Sequence, residues 1–422
     1  MARTLDQHLA PDGGPKRILA LDGGGVKGVL SLGMAKALET ELRRRSGDPA
    51  LVLSDYYDLI GGTSTGAILA TGLALGLTVD ALIDLYMDLG PRVFGRRVGD
   101  GNLFRSRYNP KDLRAALEPT FGIKTLGSRD LRTGLALHMK RIDTGSAWVV
   151  TNNPRGPYYG ATNPEHGVDA KSPAGRPRQP SESVPNRMYH LIDLVMASAA
   201  APTFFDEVVI DIARDERDKV LQRGYFVDGA VGANNNPSMQ LLLLALVPAY
   251  GFHWWGGEAN LMMTSIGTGQ RRPQIDGRKF QNLAPGFRGI QALRSMIYDT
   301  QIQGVMMLQA LSRPKRPWHI NSEVGDMGTV VLGQAPLLDY QRIDVILDVK
   351  PRKTRGETPA RTGVETLLDM DLTAKELLRM DELANGSPRN MALLRDLGMA
   401  VGARYVDATY PDARFDLPGW PA

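Results

Sequence analysis

The chain has 422 residues and a mass of 46.1 kDa, and 43% of its residues are apolar. That is enough to fill a sizeable core, and it excludes a chain disordered throughout. The formal net charge is only +4, and the basic character comes from short clusters such as Arg43 to Arg45, Arg96-Arg97, Arg271-Arg272 and Lys350 to Arg355. These read mainly as solvated faces, with an anionic surface as the minority reading and no nucleic acid expected. No cysteine is present, so disulfides, thiol catalysis and thiolate metal sites are excluded.

Residues 1–15 carry no apolar stretch after a basic one, so they read as a loose arm without a secretory signal, and a cytoplasmic location is expected. Arg17 to Asp22 is a short apolar run that meets three glycines, after which Val29 to Arg45 has helical spacing. A second unit follows, with Tyr56 to Ile60 leading into Gly61-Gly-Thr-Ser-Thr-Gly66 and a buried helix over Ala67 to Leu77. Two successive strand, turn and helix units predict an α/β fold with a largely parallel sheet, because parallel strands need helical crossovers.

Helices are predicted over Val79 to Leu89 and Pro110 to Leu117, and paired strands over Leu135 to Val150 around the Asp143 to Ser146 turn. Residues 161–187 are dominated by Asn, Pro, Gly, Ser and Arg, a composition that predicts a mobile loop or lid. Order resumes with a helix of small residues over Leu191 to Ala201 and a strand from Gly224 into Asp228-Gly229-Ala230. Beyond Gln240 an apolar helix is expected, then a buried strand ending in Gly267-Thr-Gly269, then helical segments over Gly289 to Leu311, Glu365 to Ala384 and Ser387 to Tyr405. A core over 16–240 with an extension over 241–422 packed on it is the economical division.

Three stretches carry candidate chemistry. Asp22-Gly23-Gly24-Gly25-Val26-Lys27-Gly28 fits the dinucleotide pattern Gly-x-Gly-x-x-Gly, but the acidic residues that follow, Glu39 and Glu41, fall inside a predicted helix rather than at a second strand end. The glycines do offer N–H groups at a helix N-terminus, to an oxyanion as readily as to a phosphate. Gly62-Thr-Ser64-Thr-Gly66 places a serine between strand and helix, the setting of a nucleophile elbow. The uncharged run from Gly61 to Val79 holds five glycines and five serine or threonine residues, so it reads as a buried helix behind that serine rather than a membrane span.

A base for Ser64 has two sources. Asp228 at a strand end could take the proton directly if burial raised its pKa. Alternatively Ser64, Asp228 and either His253 or His319 could form a triad. A non-catalytic module that binds a lipid or a nucleotide is the reading from another class.

The three motifs, in this order, resemble the patatin-like phospholipases, and Met196-Ala-Ser-Ala-Ala-Ala-Pro-Thr-Phe-Phe205 resembles the small-residue helix that the family carries between its second and third motifs. The resemblance covers Lys16 to Gln240. It implies a three-layer α/β/α fold with a C-terminal helical extension, and hydrolysis of acyl esters of phospholipids or lysophospholipids by a serine and aspartate dyad. Carried over, Ser64 is the nucleophile, Asp228 the base, and Gly23, Gly24 and Gly25 the oxyanion hole. Lys27, Gly28, Gly62, Gly66, Gly229 and Ala230 support the motifs. The resemblance implies no metal, so neither a metal nor another cofactor is expected, and peripheral contact with membrane is. Phe204, Phe205, Trp254, Trp255, Met262, Met263, Met306 and Met307 are candidates for an acyl groove. Oligomeric state has no signal in the sequence.

Overall fold

The computed structural model describes residues 3–95, 107–160, 183–215, 217–272, 275–347 and 372–421. Its strands are β1 (Lys16–Leu21), β2 (Leu59–Thr63), β3 (Gly134–Arg141), β4 (Ala147–Thr151), β5 (Val208–Arg214), β6 (Val220–Asp228), β7 (Leu261–Ile266) and β8 (Asp339–Ile343). All belong to one sheet of order β5-β6-β3-β2-β1-β7-β8, with β4 on β3. From β3 to β8 the neighbours in that order run parallel.

Why β1 is apolar from Ile18 to Leu21 is clear from where its side chains go. Successive residues of a strand point to opposite faces. Leu19 and Leu21 enter one apolar cluster, and Ile18 and Ala20 enter another on the far side. A parallel strand covered on both faces reads as a near-continuous apolar run where both faces are packed.

The first cluster is filled by α2 (Gly28–Ser46), α3 (Leu53–Tyr56), α4 (Thr65–Ala74), α5 (Val79–Phe94), α6 (Pro110–Phe121), α7 (Leu191–Ser198) and the last long helix, Pro388–Tyr405. The second is filled by α8 (Ser238–Leu246), Phe252, Trp254 and Leu308. Helices on both faces of the sheet make three layers. The uncharged run from Gly61 to Val79 is the end of β2, the elbow and α4, whose ten residues are all buried. Among the described residues no helix is long and apolar enough to cross a membrane.

Two expected boundaries change. The division at residue 240 is not structural, because β7 pairs with β1 at the middle of the sheet and β8 extends it beyond β7. The extension is therefore not purely helical. The arm over 1–15 is not loose where it is described. It forms α1 (Leu5–Leu9), with His8 and Leu9 buried. Most of the expected lid, 161–182, and the first part of the helix expected from Glu365 lie outside the described residues.

The arm is held by Asp58, a fully buried carboxylate at the start of β2. It accepts from the Arg3 guanidinium at 2.6 Å, from Arg17 at 3.1 Å and its N–H at 2.9 Å, and from His8 Nδ1 at 3.0 Å. Burial holds His8 below its usual range, so it acts as a neutral donor and the two arginines carry the balancing charge. Burial alone would raise the Asp58 carboxyl, yet these partners bring it down to about 2. A depressed acid contributes stability above its unfolded pKa of roughly 4 and loses it as pH falls toward 2. Asp58→Asn should therefore cost about 3 kcal/mol in a urea titration at pH 7, and the difference from the parent should shrink between pH 4 and pH 2.

Candidate active site

β2 stops at Thr63 and α4 starts at Thr65, so Ser64 alone makes the turn, at φ 56° and ψ −123°. A non-glycine residue held there costs about 1–3 kcal/mol and persists only where its surroundings enforce it. Here they do. A Cβ on Gly62 would lie 2.0 Å from the Gly66 carbonyl oxygen, and one on Gly66 would lie 2.1 Å from that of Leu21. Glycine at both positions lets the elbow close against β1. The Ser64 N–H donates to Ser198 Oγ at 2.9 Å, and Ser198 Oγ donates to the His138 carbonyl at 2.6 Å.

Asp228 arrives by register. The pairing of β2 with β3 ends at Thr63 opposite His138, and from Met139 to Arg141 β6 pairs antiparallel with β3, Asp228 opposite Met139. Since β4 holds the other edge of β3 at Met139 and Lys140, β6 occupies the edge that β2 has just left. Asp228 is thereby brought level with Ser64. Its N–H donates to the Ala200 carbonyl at 2.9 Å, its carboxylate accepts from the Ala230 N–H at 2.8 Å, and the Ser64 side chain is close enough to favour its charged form. Burial pushes this carboxyl up to about 6, against the downward pull of the Ser64 side chain and the Ala230 N–H. Gly229 lies on the His138 carbonyl and the Thr63 side chain, where a Cβ would not fit.

The glycine loop closes the site. A Cβ built on Gly23 would come within 3.2 Å of Ser64 Cβ, so the loop and the nucleophile are neighbours. The Gly23 N–H donates to the Asn235 carbonyl at 2.9 Å, and its carbonyl accepts from Thr268 Oγ1 at 3.0 Å. The Val26 N–H is also taken, by the Leu383 carbonyl at 2.9 Å. Among the described residues the N–H groups of Gly24 and Gly25 have no acceptor. Of the three glycines expected to face an oxyanion, Gly23 has its N–H committed to Asn235, and Gly24 and Gly25 keep theirs free.

Lys27 is buried, with Nζ donating to the Gly269 carbonyl at 3.1 Å and 3.5 Å from Asp381. It ties the loop to β7 rather than facing a substrate. Gly28 starts α2 against Thr65 and Tyr86. No described histidine is bonded to Ser64 or Asp228. His253 is exposed in a surface cavity with Arg155 and Tyr158, and His319 is exposed beside Gln270 and Trp318. His138 is near the elbow, but its Nδ1 is bonded to the Gly62 carbonyl and burial pushes it down to about 4.

Of the groove candidates, Phe204 and Phe205 form an aromatic cluster with Phe94 and Tyr108, a few residues beyond the Ala200 carbonyl that holds Asp228. Met262 and Met263 are packed inside the sheet, Trp254 is buried against Phe252, and Trp255 is 73% exposed. Among the described residues no group of three or more His, Asp or Glu side chains is arranged to hold a metal ion.

The sequence model of the patatin-like phospholipases matches residues 19–242. The chain belongs to this family. It is 29% identical over 230 residues to a cGAMP-activated phospholipase of Escherichia coli (strain TW11681), a match covering 54% of this chain and 55% of that protein. It is 27% identical over 250 residues to Patatin-T5 of Solanum tuberosum, covering 57% of this chain and 56% of that one. The matches thus span about half the length of these relatives. Among solved structures, human GIVD cytosolic phospholipase A2 aligns with 94% of this chain and 60% of its own at 13% identity, with a TM-score of 0.39.

The family match ends before Thr268, Arg342 and Leu383, all of which brace the glycine loop or its supports. Ser198 was legible only as one small residue among several, and no motif marks Asn235. Ser198→Ala removes the acceptor of the Ser64 N–H and leaves that donor unpaired, a loss of about 1–3 kcal/mol. The expected outcome is a roughly 10- to 100-fold slower reaction of Ser64 with a fluorophosphonate, measured as a second-order labelling rate.

Proposed function

We propose that the protein is a lipid acyl hydrolase that cleaves carboxylic esters of phospholipids or lysophospholipids through an acyl-serine intermediate. One observation carries this: a strained serine stands beside a buried aspartate whose carboxyl is pushed up to about 6, next to two unengaged backbone N–H groups. Asp228 takes the proton of Ser64 as Oγ attacks the ester carbonyl. The oxyanion is held by the N–H groups of Gly24 and Gly25, each worth about 3 kcal/mol in comparable sites. Collapse expels the alcohol, which leaves with the proton from Asp228. A water, deprotonated by Asp228, then attacks the acyl-serine, and the fatty acid departs as Ser64 recovers its proton. No histidine and no metal takes part.

A base of this strength suits esters, whose alcohol leaves more readily than an amine. The aromatic cluster of Phe94, Tyr108, Phe204 and Phe205 supplies an apolar wall for the acyl chain. Contact with lipid is proposed through α9 (Gly277–Gln281) and the outer half of α10 (Pro285–Ala310), where Arg278, Lys279, Arg288 and Arg294 stand exposed with Phe280, Phe287 and Met296. Basic and apolar groups side by side suit an anionic membrane surface.

Lipid-mass profiling of mixed membranes tests the chemistry. Free fatty acid should appear with the parent and with neither Ser64→Ala nor Asp228→Asn; release by Asp228→Asn would contradict the dyad. Because Asp228 must be ionised to act, kcat/KM should fall as pH drops through about 6. A raised acid binds its proton more tightly in the folded state, so ionising it costs stability as pH rises from roughly 4 to 6. Asp228→Asn should therefore be inactive yet at least as stable as the parent in a melt at pH 7.5. For the surface, Ser64→Ala protein should sediment with vesicles containing phosphatidylserine and not with pure phosphatidylcholine, and 1 M salt should release it. Salt-independent sedimentation, or none, removes the proposed contact.

A further inference from the structure

We infer that Arg342, on a strand outside the family-matched segment, is a positioning residue that holds the oxyanion loop in its working shape. The inference rests on the hydrolase reading above, and its observations lie one layer below that site. β1, β7 and β8 end together, Leu21 paired with Ile266 and Ile266 with Ile343. Asp22, Gly267 and Asp344 therefore leave the sheet side by side, and the glycine loop rises from the first of them.

Arg342 is fully buried and bridges this row from β8. Its Nη1 donates to Asp22 Oδ1 at 3.0 Å and Nη2 to Asp22 Oδ2 at 2.6 Å, a two-pronged pair. The same guanidinium donates to Asp344 Oδ2 at 2.7 Å and to Ser265 Oγ at 2.8 Å. Reaching β1 means crossing β7, a span of about 9–10 Å at ordinary strand spacing. A long side chain with a planar fork can do this while using four of its N–H contacts; an ammonium would hold one carboxylate as a point charge.

Both ends of the bridge lead to the oxyanion donors. On one side Asp22 is the residue before Gly23, and its Oδ2 also accepts from Gln301 Nε2 at 2.9 Å; Gln301 Oε1 in turn accepts from Asn235 Nδ2 at 3.1 Å. Asn235 is the residue whose carbonyl takes the Gly23 N–H. On the other side Asp344 Oδ1 accepts from the Gly269 N–H at 2.9 Å, fixing the turn that carries Thr268. The Thr268 hydroxyl donates to the Gly23 carbonyl, and its side chain lies against Gly24 so closely that a Cβ there would sit 2.4 Å away. Gly23 is thus clamped at its N–H and its carbonyl by groups that trace back to one guanidinium, and Gly24 and Gly25 point their N–H groups from that fixed base.

Charge adds to geometry. Two carboxylates lie beneath the place where an oxyanion forms, and Arg342 lies between them. Without it, uncompensated negative charge would oppose the transition state more than the neutral ester ground state, an effect on kcat rather than KM.

The test compares Arg342→Lys and Arg342→Met with Asp58→Asn, which breaks a buried ion-pair cluster at the other end of β1 and has no part in the site. Each variant is measured for thermal midpoint and for kcat and KM on p-nitrophenyl butyrate, a soluble ester that needs no membrane. Arg342→Lys should lower kcat about 10- to 100-fold with KM within about twofold, and Arg342→Met should lower it further. Asp58→Asn should lose at least as much thermal stability and keep kcat within about twofold. The acid limb near pH 6 should stay in place in Arg342→Lys, since Asp228 is untouched. Full kcat in Arg342→Lys, a parallel kcat loss in Asp58→Asn, or a displaced acid limb would each overturn the assignment while leaving the hydrolase reading intact. A parent protein inert to both the ester and a fluorophosphonate would overturn the hydrolase reading itself.

Discussion

The site depends on where β2 stops. Its pairing with β3 ends at Thr63, while β3 continues to Arg141, and the vacated edge is taken by β6 from the opposite direction. One edge of one strand thus receives first the strand that leads into Ser64 and then the one that ends in Asp228. Had β2 run two residues further, β6 would have been displaced and Asp228 with it. The elbow at Ser64 is what makes β2 stop. Gly62 and Gly66 let the chain turn against Leu21, and Ser198 and the His138 carbonyl lock the turn from the β3 side. The strain at Ser64 and the position of Asp228 therefore have one cause.

Buried charge marks both ends of β1, and the two ends are treated differently. At its start Asp58 is surrounded by donors and stays ionised far below the usual carboxylate range. This is an anchor for the N-terminal helix and for the entry of β1 and β2. At its end Asp22 is ionised by Arg342 but raised to about 6 by burial, and Asp228, with no cation bonded to it, is raised to a similar value. The same burial therefore yields an anchor where arginines outnumber the carboxylate, a tensioned support where one arginine serves two carboxylates, and a raised carboxyl, the proposed base, where no cation opposes desolvation.

How much of this could be read beforehand follows from the range of each interaction. The strand, turn and helix units at Asp22 to Gly28 and at Gly61 to Gly66 were legible because they are local: apolar runs, glycines and helical spacing lie within a few residues of one another. Asp228 was legible as a strand end beside a glycine turn. The partners that complete the site are not local. Asn235 meets Gly23, Ser198 meets Ser64, Thr268 meets Gly23, and Leu383 meets Val26, across separations that only the sheet order closes. The arm at residues 3–15 looked loose because one short turn of helix says nothing about an acceptor at Asp58. The boundary at 240 looked natural because nothing in Leu261 to Ile266 reveals that it pairs with β1 rather than at an edge.

The region beyond the family match thus builds part of the proposed site. β7 and β8 supply the floor under the glycine loop, α10 brings Gln301 to Asp22, and the turn after Ala374–Met380 places the Leu383 carbonyl on the Val26 N–H. That last contact has a consequence for the oxyanion hole. With Gly23 and Val26 both engaged, the donors left are two consecutive amides at the tip of the loop, and a glycine at φ 58° turns the second of them. Two donors aimed from a loop pinned on both sides can favour a tetrahedral oxyanion without reorganising as charge develops, which is the condition under which backbone dipoles lower a barrier most. The three motifs carry the groups proposed to react, and the strands after them hold those groups still.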